Sequence, residues 1–158
     1  MLKGKNISLR NLKKSDIDFL QNIENNPSLW EFGSEQKIYT KQELLSYIKK
    51  SKTNLKIAKQ YRFVVDYNNT PIGFVDLFNY KEKSASVGII IKEKYQNKGF
   101  ANESLKLLSD YCFTVLGLNQ LSCSVSKDNV KSNKLFLSAS YKFLKEENKL
   151  NFYIFEQQ

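Results

Sequence analysis

The residues with the clearest chemical use lie where an apolar run meets an amphipathic one. Gln96-Asn97-Lys98-Gly99-Phe100-Ala101 is a short polar turn with two side-chain amides, one lysine and one glycine. "VGIII" (Val87 to Ile91) leads into it, and Leu105, Leu108, Cys112 and Val115 follow at helical spacing. A turn between a buried strand and a helix aims the unpaired N–H groups of the first helical turn outward, at the positive end of the helix dipole. Gly99 allows a backbone conformation or close approach that a Cβ would block. Lys98 adds charge, and Gln96 and Asn97 add donors. The chemistry is anion binding, and a pyrophosphate fits. An ordinary β–α loop accounts for the spacing equally well. The pattern is neither G-x-x-x-x-G-K-[ST] nor G-x-G-x-x-G.

Histidine is absent from the chain. This removes Ser-His-Asp and Cys-His catalysis, histidine-ligated metals and a histidine base. The only cysteines, Cys112 and Cys123, sit in apolar patterns and read as buried, reduced thiols. Two isolated cysteines make neither a zinc nor an iron–sulfur site, so no metal is expected. Carboxylates, hydroxyls, backbone groups and water are left to do the chemistry.

The elements that must position this turn fit one domain over residues 1–158, with 41% apolar and 13% aromatic residues, as a globular chain has. "MLKGKNISLR" lacks the apolar segment of a signal peptide, and no run approaches the roughly 20 residues of a membrane span. With reduced thiols, this points to the cytoplasm and away from a membrane. Net charge is +9, which suits a polyanionic ligand, either nucleic acid or a phosphorylated cofactor. The lysines are scattered, however, without a basic arm or an RNA-binding signature, which argues against nucleic acid. Solubility alone also explains them.

The pattern predicts a strand at Ile7 to Leu12, then a helix opened by a capping box at Ser15 and Asp18. Thr40 and Glu43 open a second helix through Leu44, Ile48 and Leu55. Strands follow at Tyr61 to Tyr67, Ile72 to Tyr80 and Ala85 to Lys92, the first two joined by the turn "NNTP". The helix after the polar turn ends at Gly117. Leu121 to Val125 reads as a strand, Asp128 as the cap of a helix from Asn129 to about Ala139, and "YKFLKE" with "LNFYIFE" as a closing hairpin.

Here the chain resembles the GNAT acetyltransferases. Gln96 to Ala101 matches their Q/R-x-x-G-x-G/A signature, and "VGIIIKEKYQNKGFANESLKLLSDYCF" is similar to the segment shared by the spermidine and ribosomal-protein branches. "DNVKSNKLF" with "SYKF" resembles a later motif of the family, and the element order is the family's. The resemblance implies an α/β (α+β) fold: a mixed, mostly antiparallel sheet of about seven strands, splayed at its centre, with four helices. It implies acetyl-CoA in the opening between Val87–Ile91 and Leu121–Val125. The pantetheine would pair with the backbone of Ile89, Ile90 and Ile91, and the pyrophosphate with Gln96, Asn97, Lys98, Gly99, Phe100 and Ala101. Asn129, Ser132 and Lys134 match positions near the pantetheine and sulfur. A substrate amine would attack the thioester directly, with proximity supplying much of the rate.

Two departures from the family pattern matter. Its usual general-acid tyrosine is Phe136 here, and its usual glutamate is Ser86. A thiolate leaves without an acid, since a thiol's ordinary pKa is about 8.5. For the amine's proton the candidates are water and Asp76, with Ser132 and Tyr141 as hydroxyl candidates; Asp76 also reads as a hairpin surface charge. Acceptor selection would involve "NNPSLWEFGSEQKIYT", where Trp30, Glu31 and Glu35 suit a cationic amine. A polyamine, a protein N-terminus and an amino sugar all remain open, as does assembly as a homodimer. The alternative of another class is a non-catalytic basic module that uses the turn at 96–101 for a nucleic-acid or other phosphate.

Overall fold

The computed structural model describes residues 1–26 and 38–157. Eight strands form one sheet: β1 (Leu2–Lys3), β2 (Ser8–Asn11), β3 (Tyr61–Tyr67), β4 (Thr70–Phe78), β5 (Ser84–Ile91), β6 (Gln120–Ser126), β7 (Lys142–Glu147) and β8 (Leu150–Glu156). Their spatial order is β1-β2-β3-β4-β5-β6-β8-β7. Neighbours are antiparallel except β5 and β6, which run parallel. The described helices are α1 (Ile17–Glu24), α2 (Lys41–Lys50), α3 (Leu55–Ala58), α4 (Phe100–Thr114) and α5 (Val130–Ser138).

Both faces of the central strands are buried, which is why "IGFVDL" in β4 is nearly unbroken apolar sequence. Adjacent residues point to opposite cores. Val65, Val75, Leu77, Val87 and Ile91 pack with Leu105, Leu108, Cys112 and Phe136 beneath α4 and α5. Val64 and Phe74 pack with Leu20, Ile23, Leu44 and Ile48 beneath α1 and α2. Each such side chain contributes about 1.5–3 kcal/mol by leaving water.

Local chemistry explains where elements start. Thr40 Oγ1 accepts from the Glu43 N–H and Glu43 Oε1 from the Thr40 N–H, each at 3.1 Å, so the capping box of α2 forms as expected. Asn68 and Asn69 take positive φ of 49° and 63° and turn β3 into β4. That puts Thr70 and Pro71 inside β4, not in the turn.

Four expectations are corrected. The sheet gains the two-residue β1, and a fifth helix, α3, takes Leu55 away from the stripe of α2. Asn54 Oδ1 accepts the Lys56 N–H at 2.8 Å and so starts that separate turn. The box at Ser15 and Asp18 does not form, because Asp16 holds the chain instead, accepting the Lys13 N–H at 2.8 Å. Asn129, not Asp128, caps α5, its Oδ1 accepting the Ser132 N–H at 3.1 Å.

Asp16 also accepts two bonds from Arg10, each at 2.9 Å, and Arg10 Nε donates to Asp66 at 2.7 Å. Burial alone would raise the Asp16 pKa, but hydrogen bonds from Arg10 and Lys13 and the Arg10 charge more than offset it, and the carboxyl lies below its ordinary value. A lowered folded-state pKa means stability that is complete above the unfolded value, about 3.9, and lost as pH falls through the lower folded value. Asp16→Asn should therefore cost about 3 kcal/mol at pH 7, since Arg10 loses a buried partner. Urea midpoints should also fall less steeply between pH 6 and pH 3 in the variant than in the parent, as about one carboxylate's linkage is removed.

Candidate active site

The sheet comes apart at its centre. β5 pairs with β6 only over Ser84↔Gln120, Ala85↔Leu121 and Ser86↔Ser122. Beyond Ser86, β5 stays with β4 as far as Ile91, while β6 stays with β8 as far as Ser126. The wedge between them opens into a cleft of about 260 Å³, walled by Ile89, Ile90, Ile91, Tyr95, Gln96, Asn97, Ala101, Asn129, Lys131, Ser132 and Leu135.

Backbone alternation decides what β5 offers this cleft. The Lys92 N–H donates to Ile72 O at 2.8 Å, so Lys92 faces β4. In an antiparallel strand the next residue faces the other way. Ile91 and Ile89 therefore turn their backbone groups to the gap, and Ile90 turns its own to β4. A Cβ on Gly73 would meet Ile90 O at 2.2 Å, which agrees. Gln96 Nε2 donates to Ile91 O at 2.8 Å, so that carbonyl is already taken. The expectation that Ile89, Ile90 and Ile91 all present backbone is corrected: Ile89 keeps both groups open, Ile91 its N–H, and Ile90 contributes side chain only.

The polar turn stands at the mouth of the cleft. Asn97 and Gly99 adopt positive φ of 61° and 84°. The N–H groups of Asn97, Lys98 and Gly99 have no acceptor among the described residues. Those of Phe100, Ala101 and Asn102 open α4 and lack intrahelical partners. Six donors and the positive end of a 15-residue helix thus meet at one place. Glu103 anchors this end, accepting the Asn6 and Ile7 N–H groups at 2.8 and 3.0 Å. Lys98 is exposed beside the turn, whereas the Phe100 side chain is buried against Tyr67, ring centres 4.7 Å apart.

The opposite wall is α5. Asn133 fixes it, donating to Ser126 O and Asn129 O and accepting from Tyr153 and Asn151. This side chain escaped the sequence reading, as no spacing rule reveals a bond to a strand twenty residues on. Ser132 and Asn129 line the cleft. Lys134 does not; it is exposed on α5, and Lys131 takes its place, with Nζ 3.5 Å from Gln96 Oε1. A position one turn nearer the cap faces the cleft, which helix periodicity could have found once Asn129 was known as the cap.

Tyr141 is no site hydroxyl. It is 3% exposed, sits against Phe136 and Phe155, and its hydroxyl has no partner. Burial pushes its pKa well up. Burial likewise pushes the Cys112 and Cys123 thiols to about 12, so neither is a nucleophile. Phe136 is itself buried and outside the cleft wall. Phe136→Tyr should give no rise in kcat and should cost about 1–3 kcal/mol by burying an unsatisfied hydroxyl. Steady-state kinetics and a urea titration check both.

Asp76 is neither a free carboxylate nor a simple surface charge. It lies opposite Gly88 on the α1/α2 face, in line with the pairs Phe78↔Ser86 and Phe74↔Ile90. Arg62 Nε and Nη2 donate to its two oxygens at 2.7 and 2.9 Å, and Nη1 donates to Glu24. The guanidinium stacks over Phe74 at 4.6 Å. Burial works against its charge, but Asp76 and Glu24 more than compensate, and Arg62 stays firmly protonated. Ser86 and Ser122 bring their hydroxyls to 3.3 Å where the strands part. Trp30, Glu31 and Glu35 lie outside the described residues. Among those described, no group of residues could hold a metal ion and no helix is long and apolar enough to cross a membrane.

Comparison with known proteins agrees with this geometry. The acetyltransferase (GNAT) domain family matches residues 6–142. The spermidine N(1)-acetyltransferase of Escherichia coli K12 is 31% identical over 138 residues, 86% of this chain and 73% of that protein. The crystal structure of the Vibrio cholerae spermidine N-acetyltransferase with CoA and spermine superposes with a TM-score of 0.81 at 25% identity, covering 96% of this chain and 94% of that one. FdhC, a nucleotide-linked sugar GNAT, gives 0.82 at 27% identity over 98% and 89% of the two chains. A split sheet with a turn of unpaired N–H donors at its mouth, in a chain so related, is that of an acetyl-CoA-dependent N-acetyltransferase, and the chain belongs to the GNAT family.

Proposed function

We propose that the acceptor is a cationic alkyl amine of the polyamine class, acetylated by direct attack in a ternary complex. The observation that carries this is the pairing of acid and aromatic groups beside the parting strands. Asp76 lies opposite Gly88, and it and Glu24 converge on one guanidinium, Arg62. Tyr47 and Phe74 flank Arg62 with aromatic surface. Acids beside aromatics attract an ammonium. The spermidine acetyltransferase relatives support the same class.

In this reading the pyrophosphate takes the N–H groups at 97–102, and the pantetheine runs along the open edge of Ile89. The amine enters over Gly88, where an added Cβ would meet only the Phe78 ring, at 3.5 Å. The Ile89 N–H stabilises the oxyanion as the amine nitrogen bonds to the carbonyl carbon. The C–S bond then breaks to release a thiolate, which needs no acid. Asp76, held by Arg62, orients the amine or the water that carries off its proton, and Ser132 stands on the far wall.

A second acceptor class, an amino sugar carried on a nucleotide, is favoured by the Ser86–Ser122 hydroxyl pair and by the net charge of +9. A thiol-release screen decides between them. Spermidine and spermine should exceed peptide N-termini, aminoglycosides and nucleotide-linked amino sugars in kcat/KM by about tenfold or more, 1.4 kcal/mol in transition-state binding. A nucleotide-linked amino sugar at the top of the ranking would overturn the polyamine assignment.

A further inference from the structure

A second, larger cavity of about 380 Å³ lies away from the cleft, under β3 and against the C-terminal end of α4. Its walls include four aromatic rings, Tyr61, Phe63, Tyr80 and Tyr111, with Lys52 and Lys56 at its rim. Tyr111 and the cleft residue Ala101 are ten positions apart on one helix, about 15 Å at 1.5 Å per residue. The two sites do not overlap.

The rings form a box. Tyr61 and Phe63 are 4.7 Å apart between centres, and Tyr111 meets Phe63 edge-on at 6.0 Å. Tyr80 is 8% exposed. The Tyr61 hydroxyl is paired with Asn11. Those of Tyr80 and Tyr111 have no hydrogen-bond partner among the described residues. Burial raises the Tyr111 phenol, so at neutral pH it keeps the proton it can donate. No aspartate or glutamate is among the described residues of the wall. Lys59 already lies over the Tyr80 ring, at 5.9 Å. Two rim lysines, the unpaired Tyr80 and Tyr111 hydroxyls and the lack of a described carboxylate make an anion with an aromatic body the matching guest. Its volume is at the lower end of small-molecule sites, roughly 300–1,000 Å³.

We propose that this cavity binds a small aromatic carboxylate, its ring held between Tyr61, Phe63 and Tyr111 and its carboxylate by Lys52, Lys56 and the Tyr80 and Tyr111 hydroxyls. The charge of the guest is thus opposite to that of the acceptor amine. Tyr61 and Phe63 flank Arg62 in β3, so the guest sits across the sheet from the Arg62–Asp76 pair.

Amide-shift titration of the full chain with benzoate and indole-3-acetate, against benzamide and indole-3-acetamide, tests this. Both carboxylates should saturate, at least about tenfold tighter than their amides, with shifts at residues 52–56 and around Tyr111. Saturating CoA should leave that affinity unchanged. Lys52→Ala with Lys56→Ala, at two exposed positions, should weaken benzoate about tenfold or more without changing the unfolding midpoint. Tyr111→Phe should weaken it with the ring kept. Equal binding of acid and amide, shifts at Ile89–Ile91 instead, displacement by CoA, an unaffected double variant, or no saturation would each overturn the proposal.

Discussion

Asp76→Asn is expected to lower kcat/KM for the acceptor amine by about 100-fold, the usual scale for a group that handles an amine and its proton. Acetyl-CoA affinity should stay unchanged. Asparagine keeps the shape of the side chain and one acceptor for Arg62, so the strand pairing around Gly88 survives. What disappears is the charge. With Asp76 neutral, the carboxylate opposite Gly88 is lost, and the approach to the thioester attracts an ammonium less. If Asp76 anchors the amine, most of the loss appears in KM; if it orders the water that removes the proton, most appears in kcat. Arg62 is largely buried and loses a charged partner, so stability should also fall by about 1–3 kcal/mol. The assay is therefore run well below the variant's melting temperature. Calorimetric titration with acetyl-CoA reports separately on the cofactor cleft. A parental rate in this variant would return Asp76 to a purely structural pairing with Arg62 and leave water as the sole proton carrier.

The strands of this fold were legible because their alternation is strong, and β3 begins and ends where the pattern of Tyr61 to Tyr67 placed it. The backbone of the turn after β5 was legible for a different reason. Glycine and asparagine tolerate the left-handed region, and Asn97 and Gly99 do take positive φ. Side-chain direction was not legible. The partner of Asp76 was hidden, because nothing local shows that Arg62, fourteen positions earlier, faces it across β3 and β4. Tyr141 looked like a hydroxyl near a motif, yet packing against Phe136 turns it into the core. Lys134 and Lys131 are one helical turn apart, and only the identity of the cap tells which meets the cleft. The backbone alternation that leaves Ile89 open and closes Ile90 follows from register with β4, a property of two strands together.

Gly99→Asp should weaken acetyl-CoA binding by at least tenfold, about 1.4 kcal/mol, in a protein that still folds. Gly99 is the N-cap of α4, at φ 84°, and an added Cβ there finds nothing within 4 Å. Packing is therefore not the source of the effect. The left-handed conformation costs a non-glycine residue roughly 1–2 kcal/mol, less for aspartate, whose short side chain bonds locally. An aspartate at an N-cap recovers about 1 kcal/mol by accepting N–H groups of the first turn. Those N–H groups are the donors proposed for the pyrophosphate, so the new carboxylate occupies them and repels the ligand's charge. Gly99→Ala separates the two contributions, since it carries the backbone strain without the charge. It should lose little affinity at physiological salt, and the gap between the two variants should narrow as salt rises and screens the repulsion. At saturating acetyl-CoA, kcat of Gly99→Asp should approach the parental value, because Ile89 and Asp76 lie on other elements. Calorimetry against acetyl-CoA at two salt concentrations measures all of this. An Asp variant that is folded and binds acetyl-CoA as tightly as the parent would remove the turn at 97–102 from the cofactor site.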